Sequence, residues 1–260
     1  MGRMQRGEVV DANGNPVAPD QLYPGPGRLY YYRSIEDEPA IPFTEDILFR
    51  DEHLLVVDKP HFLPVTPGGR YLHETLLVRL KQQLGIDALQ PLHRIDRETA
   101  GLVLFSLQGR DRAAYHALFS ERTVSKEYEA VAPYDPDLSL PLMHESRVEP
   151  GEPFFLTREV PGTPNAQTHV ALTETTGPWA RYALKPVTGY RHQLRVHMAA
   201  LGLPIRHDAF YPQVTRRADE ADDYARPLQL LARAIAFTDP ITGQQRRFES
   251  ARKLLPLPTE

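Results

Sequence analysis

Prolines are spread along the whole of this chain, 25 in 260 residues, about twice the roughly 5% share of an average protein. Each fixes φ and removes a backbone donor, so long helices and unbroken ladders cannot run through them. The chain is therefore expected to fold as short elements joined by fixed turns.

The runs between prolines carry the secondary-structure signal. "DILFRDEHLLVVDKP" (46–60) reads as two strands joined at Asp51-Glu52, and "GLVLFS" (101–106) as a buried strand. "VSKEYEAVA" (124–132) partly alternates, as a strand does, and "AQTHVALTET" and "RYALKPV" are two further strands. The segment 228–250 reads as a hairpin around Asp239-Pro240 and Gly243. Helices are predicted over 73–85, 110–122 and 189–202. In the first, Leu76, Leu77, Leu80 and Leu84 share a face and Gly85 stands at the C-cap. In the second, Tyr115, Leu118 and Phe119 lie on one side. In the third, Leu194, Met198 and Leu201 face the core, with Arg191 and Arg195 one turn apart on another face. Strands outnumber helices and neighbours pair as hairpins. The expected class is α+β, with a large, mainly antiparallel sheet and a few flanking helices. Residues 1–42, rich in Pro, Gly and Asp, are expected to form an arm or small extension, and 43–260 the main domain.

With 41% hydrophobic and 25% charged residues, the composition is that of a folded domain with a sizeable core. No run approaches the ~20 apolar residues of a membrane span, and the first residues lack the apolar core of a secretory signal. With no cysteine, disulfides and thiolate–zinc sites are excluded, which fits an expected cytoplasmic location. The net charge of −4 argues against nucleic acid, but its distribution does not. Residues 178–207 hold Arg181, Lys185, Arg191, Arg195 and Arg206 and no acid, while acids gather at 36–38 and 219–223. Such a basic face can meet phosphates; a solvated charge pattern without a partner explains it equally well.

"PLHRIDRETAGLVLFS" (91–106) sets Asp96 between Arg94 and Arg97, just before an apolar strand. Neighbouring guanidinium groups favour the charged form of a carboxylate. A charged carboxylate is no general acid; it serves as nucleophile, modest base, metal ligand or half of a structural pair. From this stretch alone, an Asp96–Arg97 pair that ties down a loop is the simpler reading. In "TGYRHQLRVH" (188–197), the first helical turns carry Arg191, His192 and Arg195. Exposed N–H groups and arginines there favour an acid or anion: Asp96 suits Arg195, and a phosphate suits Arg191. Tyr128, on a strand, suits the core or the face of a flat substrate. His192 and His197 are five apart and do not share a helix face, so with no H-E-x-x-H motif no metal site is expected. Glycine-rich nucleotide motifs and G-x-S-x-G are also missing.

Taken together, these stretches resemble the RluA-type family of RNA pseudouridine synthases. "HRIDRETAGL" (93–102) resembles the family's H-R-L-D-R-x-T-S-G-L, "DKPHFLPV" (58–65) its D-K-P-x-G-L-x-V, and "KEYEA" (126–130) its K-x-Y-x-A. "TGYRHQLRVHMAALGLPIRHDAFY" (188–211) and "LQLLARAIAFTDPITG" (228–243) follow in the family's order. The resemblance covers about residues 46–250. It implies the pseudouridine synthase fold, with a curved sheet and a central RNA-binding cleft. It also implies isomerisation of a uridine in ribosomal or transfer RNA, with no cofactor and no metal. Asp96 would be the nucleophile, attacking the sugar carbon or acting in removal of a ribose proton, Arg195 its partner, and Tyr128 a ring that stacks on the base and helps move the C5 proton. Arg94 would fill the space of a flipped nucleotide, and Arg97, Leu194, Arg191 and His192 would line the substrate site. Five positions depart from the pattern: Phe62 and His207 stand where the family has Gly, Thr66 where it has His, Ala100 where it has Ser, and Leu231 where it has His. Phe62 and His207 are expected to reshape the cleft rim. The segment before residue 46 is shorter than the S4-like domain of many relatives, so recognition is expected from the catalytic domain and the arm, and a monomer is expected. The rival readings are a non-catalytic RNA-binding protein that keeps the fold, and a glycosidase. A glycosidase needs a second acid about 5–9.5 Å away, for which Asp58 and Asp208 offer no obvious pairing.

Overall fold

The computed structural model describes residues 2–22, 25, 27–31, 38–216 and 220–259. Parts of the acidic runs at 36–38 and 219–223, and of the stretch "RLYYYRS" (28–34), lie outside the described residues. The chain divides into two compact units, Met1–Glu38 and Pro39–Glu260. The first holds a short helix α1 (Gly2–Gln5) and an antiparallel pair, β1 (Val9–Val10) with β2 (Tyr30–Tyr31).

The second unit is built on eleven strands in one sheet. In chain order they are β3 (Asp46–Arg50), β4 (Leu54–Lys59), β5 (Gln90–Pro91), β6 (Ala100–Ser106), β7 (Ser125–Pro133), β8 (Leu142–Pro150), β9 (Thr157–Val160), β10 (Ala166–Thr176), β11 (Trp179–Pro186), β12 (Leu230–Thr238) and β13 (Gln245–Glu249). The main path runs β3-β4-β6-β12-β7-β11-β10-β8-β9, with β13 beside β12 and β5 beside β6. All pairings among the described strands are antiparallel except β6 with β12, which meet only at Ala100↔Leu231 and Gly101↔Ala232. Beyond that junction, β12 turns to pair with β13, and β6 turns to β5. The sheet is thus two half-sheets stitched at one short parallel contact. Gly101 is required there: its φ is +112°, and a Cβ would stand 2.3 Å from the Ala232 carbonyl oxygen.

Three helices flank the sheet: α2 (Leu76–Leu84), α3 (Arg112–Ser120) and α4 (Gln193–Ala200). Thr75 caps α2 by accepting from the Val78 N–H, and Gly85 ends it in the left-handed region. Buried Leu76 and Leu80 pack on Leu55, Val57, Val103 and Phe105 from one face of β4 and β6. The alternate residues Leu54, Val56, Leu102 and Leu104 pack with Tyr115 of α3. Both faces are covered, which is why these two strands read as unbroken apolar runs. Each such leucine contributes roughly 2 kcal/mol of burial. In the other half-sheet, Leu194 and Met198 of α4 cover Ala130, Tyr182, Leu184 and Leu230.

Two strands, β8 and β9, were not expected. Their stretch is rich in charge and proline, and they lie at the far edge of the sheet, where a polar face is solvated. Helix α4 also begins later than its periodicity predicts. His192 takes a left-handed φ of 55°, so Arg191 and His192 precede the helix rather than riding its first turn. No described helix is long and apolar enough to cross a membrane.

Candidate active site

A cleft of about 760 Å³ opens where the half-sheets meet. The 93–99 loop before β6, Lys126 and Tyr128 on β7, and the 186–195 segment leading into α4 line it together. Asp96 is one-fifth exposed and sits four residues before the stitched junction. Buried Arg195 donates from Nη1 to Asp96 Oδ2 at 3.4 Å. Its stronger bonds go elsewhere: Nε to Asp208 Oδ2 at 2.8 Å and Nη2 to Asp208 Oδ1 at 2.6 Å. Arg195 therefore bridges a buried carboxylate and a partly open one, and Glu98 Oε2 lies 3.8 Å from Nη1. Burial disfavours the cation, but Asp208, Asp96 and Glu98 outweigh it and hold the guanidinium charged. Asp208 is the functional partner that sequence reading passed over as an unpaired acid; its bidentate bond to Arg195 spans 13 residues and a turn.

His192 Nε2 lies 3.9 Å from Asp96 Oδ1, and its Nδ1 shares a 2.9 Å hydrogen bond with the Tyr211 hydroxyl. Burial pushes this imidazole below its ordinary pKa, against the pull of Asp96. Tyr128 faces the same cleft; burial, reinforced by the Asp96 charge, raises its pKa well above that of a free phenol. Lys126 donates to the Thr188 carbonyl at 3.1 Å, joining β7 to the turn before α4. Behind the 93–99 loop, buried Lys59 donates to the carbonyls of Pro60, Leu63 and Arg97. That bond to Arg97 clamps the Asp96 loop to the end of β4. Burial draws the Lys59 ammonium down to about 7.

The structure brings all eight expected site residues to one cleft. Asp96, Tyr128, Arg195, Arg94, Leu194 and His192 line one cleft. Arg97 lines it too, but its guanidinium is committed to Asp222, with bonds of 2.8 and 2.6 Å, rather than to Asp96. Of the two partners the sequence offered Asp96, the structure gives it Arg195, and the Asp96–Arg97 pair of the simpler reading does not form. Arg191 lines the cleft as well, and donates from Nη2 to the carbonyls of Phe154 and Leu156. The basic run 178–207 is not one open face, because neighbouring strands supply acids that its spacing did not show. Arg181 meets Glu174 and Glu129, Lys185 meets Glu127, and Arg195 is buried. The exposed cations on the cleft wall are Arg191 from that run, Arg94, and Arg122, which sequence reading missed; none of the three has an ion-pair partner among the described residues.

The departures from the family pattern keep the backbone the pattern needs. Phe62 and His207 both hold left-handed φ values, 67° and 64°, where the family has glycine. Neither lines the cleft, contrary to expectation. Phe62 is buried beside Phe43 and Tyr224, and His207 bonds the Pro227 carbonyl.

The family model for RNA pseudouridylate synthase matches residues 53–200, from the start of β4 through α4. The chain belongs to the RNA pseudouridine synthase family, of the RluA type. It is 31% identical to the dual-specificity RNA pseudouridine synthase RluA of Pasteurella multocida, over 82% of this chain and 94% of that protein. It is 33% identical to the RluA of Escherichia coli, over 78% of this chain and 91% of that one. Among solved structures, human RNA pseudouridylate synthase domain containing 1 superposes with a TM-score of 0.65 at 22% identity, covering 86% of each chain. Human RNA pseudouridylate synthase domain containing 4 gives 0.61 at 25% identity, over 80% of this chain and 88% of that one. The synthase is accordingly an isomerase of uridine in RNA, and the α+β fold with its large, mostly antiparallel sheet is that of its relatives.

Proposed function

We propose that Asp96 is the nucleophile of this isomerisation, acting on a uridine flipped out of structured ribosomal or transfer RNA. The observation that carries the reading is the Asp96 carboxylate, open on the cleft side and held from behind by the Arg195 guanidinium. The N-glycosidic bond of the uridine breaks, the uracil turns while held, and C5 bonds to the ribose carbon, with the C5 proton released. Flipping supplies access, because a stacked base hides its reacting atoms. The Tyr128 ring stacks on the uracil as a neutral phenol, and its raised pKa makes the phenolate still scarcer as a base for the C5 proton. Arg94 takes the space left by the base, Arg122 meets the backbone, and Leu194 and His192 close the floor under the sugar. A metal or cofactor has no part in this scheme. The name dual-specificity, carried by several relatives, supports acceptance of more than one RNA. The protein works as a monomer, with recognition from the catalytic unit and the 1–42 arm.

Tritium release from RNA labelled at uracil C5 tests this. Unmodified ribosomal and transfer fractions are assayed separately with the parent and with Asp96→Asn. Release by the parent alone is expected. Equal release by the variant removes Asp96 from the chemistry, and release from neither fraction removes both RNA classes.

A further inference from the structure

Outside the cleft, three elements bring three metal-ligating side chains to one point: His144 on β8, Glu159 on β9 and His197 on α4. One ligand atom of each lies within 4.8 Å of the other two. His144 Nε2 is 2.8 Å from Glu159 Oε1, and His197 Nε2 is 3.9 Å from the same oxygen. A fourth polar atom, Ser146 Oγ on β8, stands 3.2 Å from His197 Nε2. The two imidazole rings meet edge to face, their centroids 4.7 Å apart.

A tetrahedral ion with ligands at about 2.0–2.1 Å needs donor–donor separations of about 3.3 Å. The two separations at Glu159, 2.8 and 3.9 Å, bracket that value, and the three ligand atoms all lie within 4.8 Å of one another, so rotation of the partly exposed His144 and Glu159 side chains closes the set. The donor set, two imidazoles and one carboxylate, is the kind zinc takes when a fourth position is left to water or a hydroxyl. A plain His144–Glu159 ion pair accounts for the shortest contact but not for His197. That imidazole is fully buried, and its Nε2, the nitrogen that faces the cluster, has only the Ser146 hydroxyl within hydrogen-bond distance. Burying a ring with so little to satisfy it is unusual unless another group joins it.

We propose that His144, Glu159 and His197 form a binding site for a divalent transition metal of the zinc type, with Ser146 or a water as fourth donor. An ion there ties the β8–β9 edge to α4, two residues along the helix from Arg195. The site is separate from the uridine chemistry, and its role is to stiffen the platform that presents Arg195.

The test uses the full chain after treatment with EDTA. Calorimetric titration with Zn²⁺ is expected to show one equivalent bound, and the thermal midpoint to rise with Zn²⁺ concentration. Co²⁺ is expected to give the visible absorption of a four-coordinate N/O site. His144→Asn and Glu159→Gln, both at partly exposed positions and checked for native circular dichroism, should each weaken Zn²⁺ by at least about tenfold and abolish the Co²⁺ band. The proposal is overturned if the parent takes up no Zn²⁺ and shows no Co²⁺ band. It is equally overturned if the variants bind as the parent does, since another of the ten histidines would then hold the ion.

Discussion

Arg195 grips Asp208 with two hydrogen bonds, of 2.8 and 2.6 Å, and both side chains are almost fully buried. The pair fixes the guanidinium plane before any RNA arrives, leaving Nη1 for Asp96. Asp208→Asn keeps the shape but removes the charge. Leaving a buried cation half-paired is expected to cost about 3 kcal/mol of stability. A small misplacement of Arg195 is expected to lower kcat about 100-fold with little change in KM. Denaturant titration and steady-state kinetics check the two parts; an unchanged kcat would show that Asp208 does not position Arg195.

Phe62 and His207 hold a backbone conformation that costs non-glycine residues roughly 1–2 kcal/mol. Their replacement by glycine is expected to diverge. His207→Gly trades that relief against one hydrogen bond and a looser unfolded chain, so stability should stay within about 1 kcal/mol of the parent. Phe62→Gly also removes a buried ring packed on Phe43 and Tyr224, and should lose about 2–4 kcal/mol. Equal effects in urea unfolding would show that the Phe62 ring adds no packing beyond the backbone relief the two positions share.

Leu231 and Ala100 are register partners in the single parallel junction and share one apolar cluster. Both stand where the family pattern has polar residues, His and Ser. Leu231→His alone buries an imidazole among Val131, Leu254 and Ala100, and is expected to cost about 2–3 kcal/mol. Adding Ala100→Ser supplies a partner and should recover about 1 kcal/mol. A double-mutant cycle measures that coupling; additivity would show that the two departures are independent.

His93 accepts a hydrogen bond from the Leu104 N–H and stacks on Phe119, 4.8 Å between centroids. Burial, then Lys126, draws its pKa down to about 3. The unfolded imidazole titrates near 6.5, so between about pH 6.5 and 3 the unfolded chain binds a proton that the folded one refuses. Stability therefore falls as pH falls through that window. His93→Gln retains an acceptor but does not titrate. Its unfolding free energy between pH 6 and 4 is expected to fall less steeply, by about 1.4 kcal/mol per pH unit. Parallel curves for parent and variant would count against a neutral His93 in the folded state.

Much of this protein is determined by residues close together in sequence. The apolar runs of β4 and β6, the alternation in β7, the leucine face of α2 and its Gly85 cap all follow from periods of two or 3.6 residues and from local sterics. The five motif stretches that carry Asp96, Tyr128 and Arg195, in the family's order, were enough to place it in its family. What tertiary structure decided is who pairs with whom. Arg195 meets Asp96 across 99 residues, and Arg97 takes Asp222 across 125. The acids that neutralise Arg181 and Lys185 arrive on neighbouring strands, and β8 and β9 gain their place only by pairing at an edge. A guanidinium binds whichever carboxylate the fold brings within about 3 Å. That choice depends on strand order, which local periodicity does not encode.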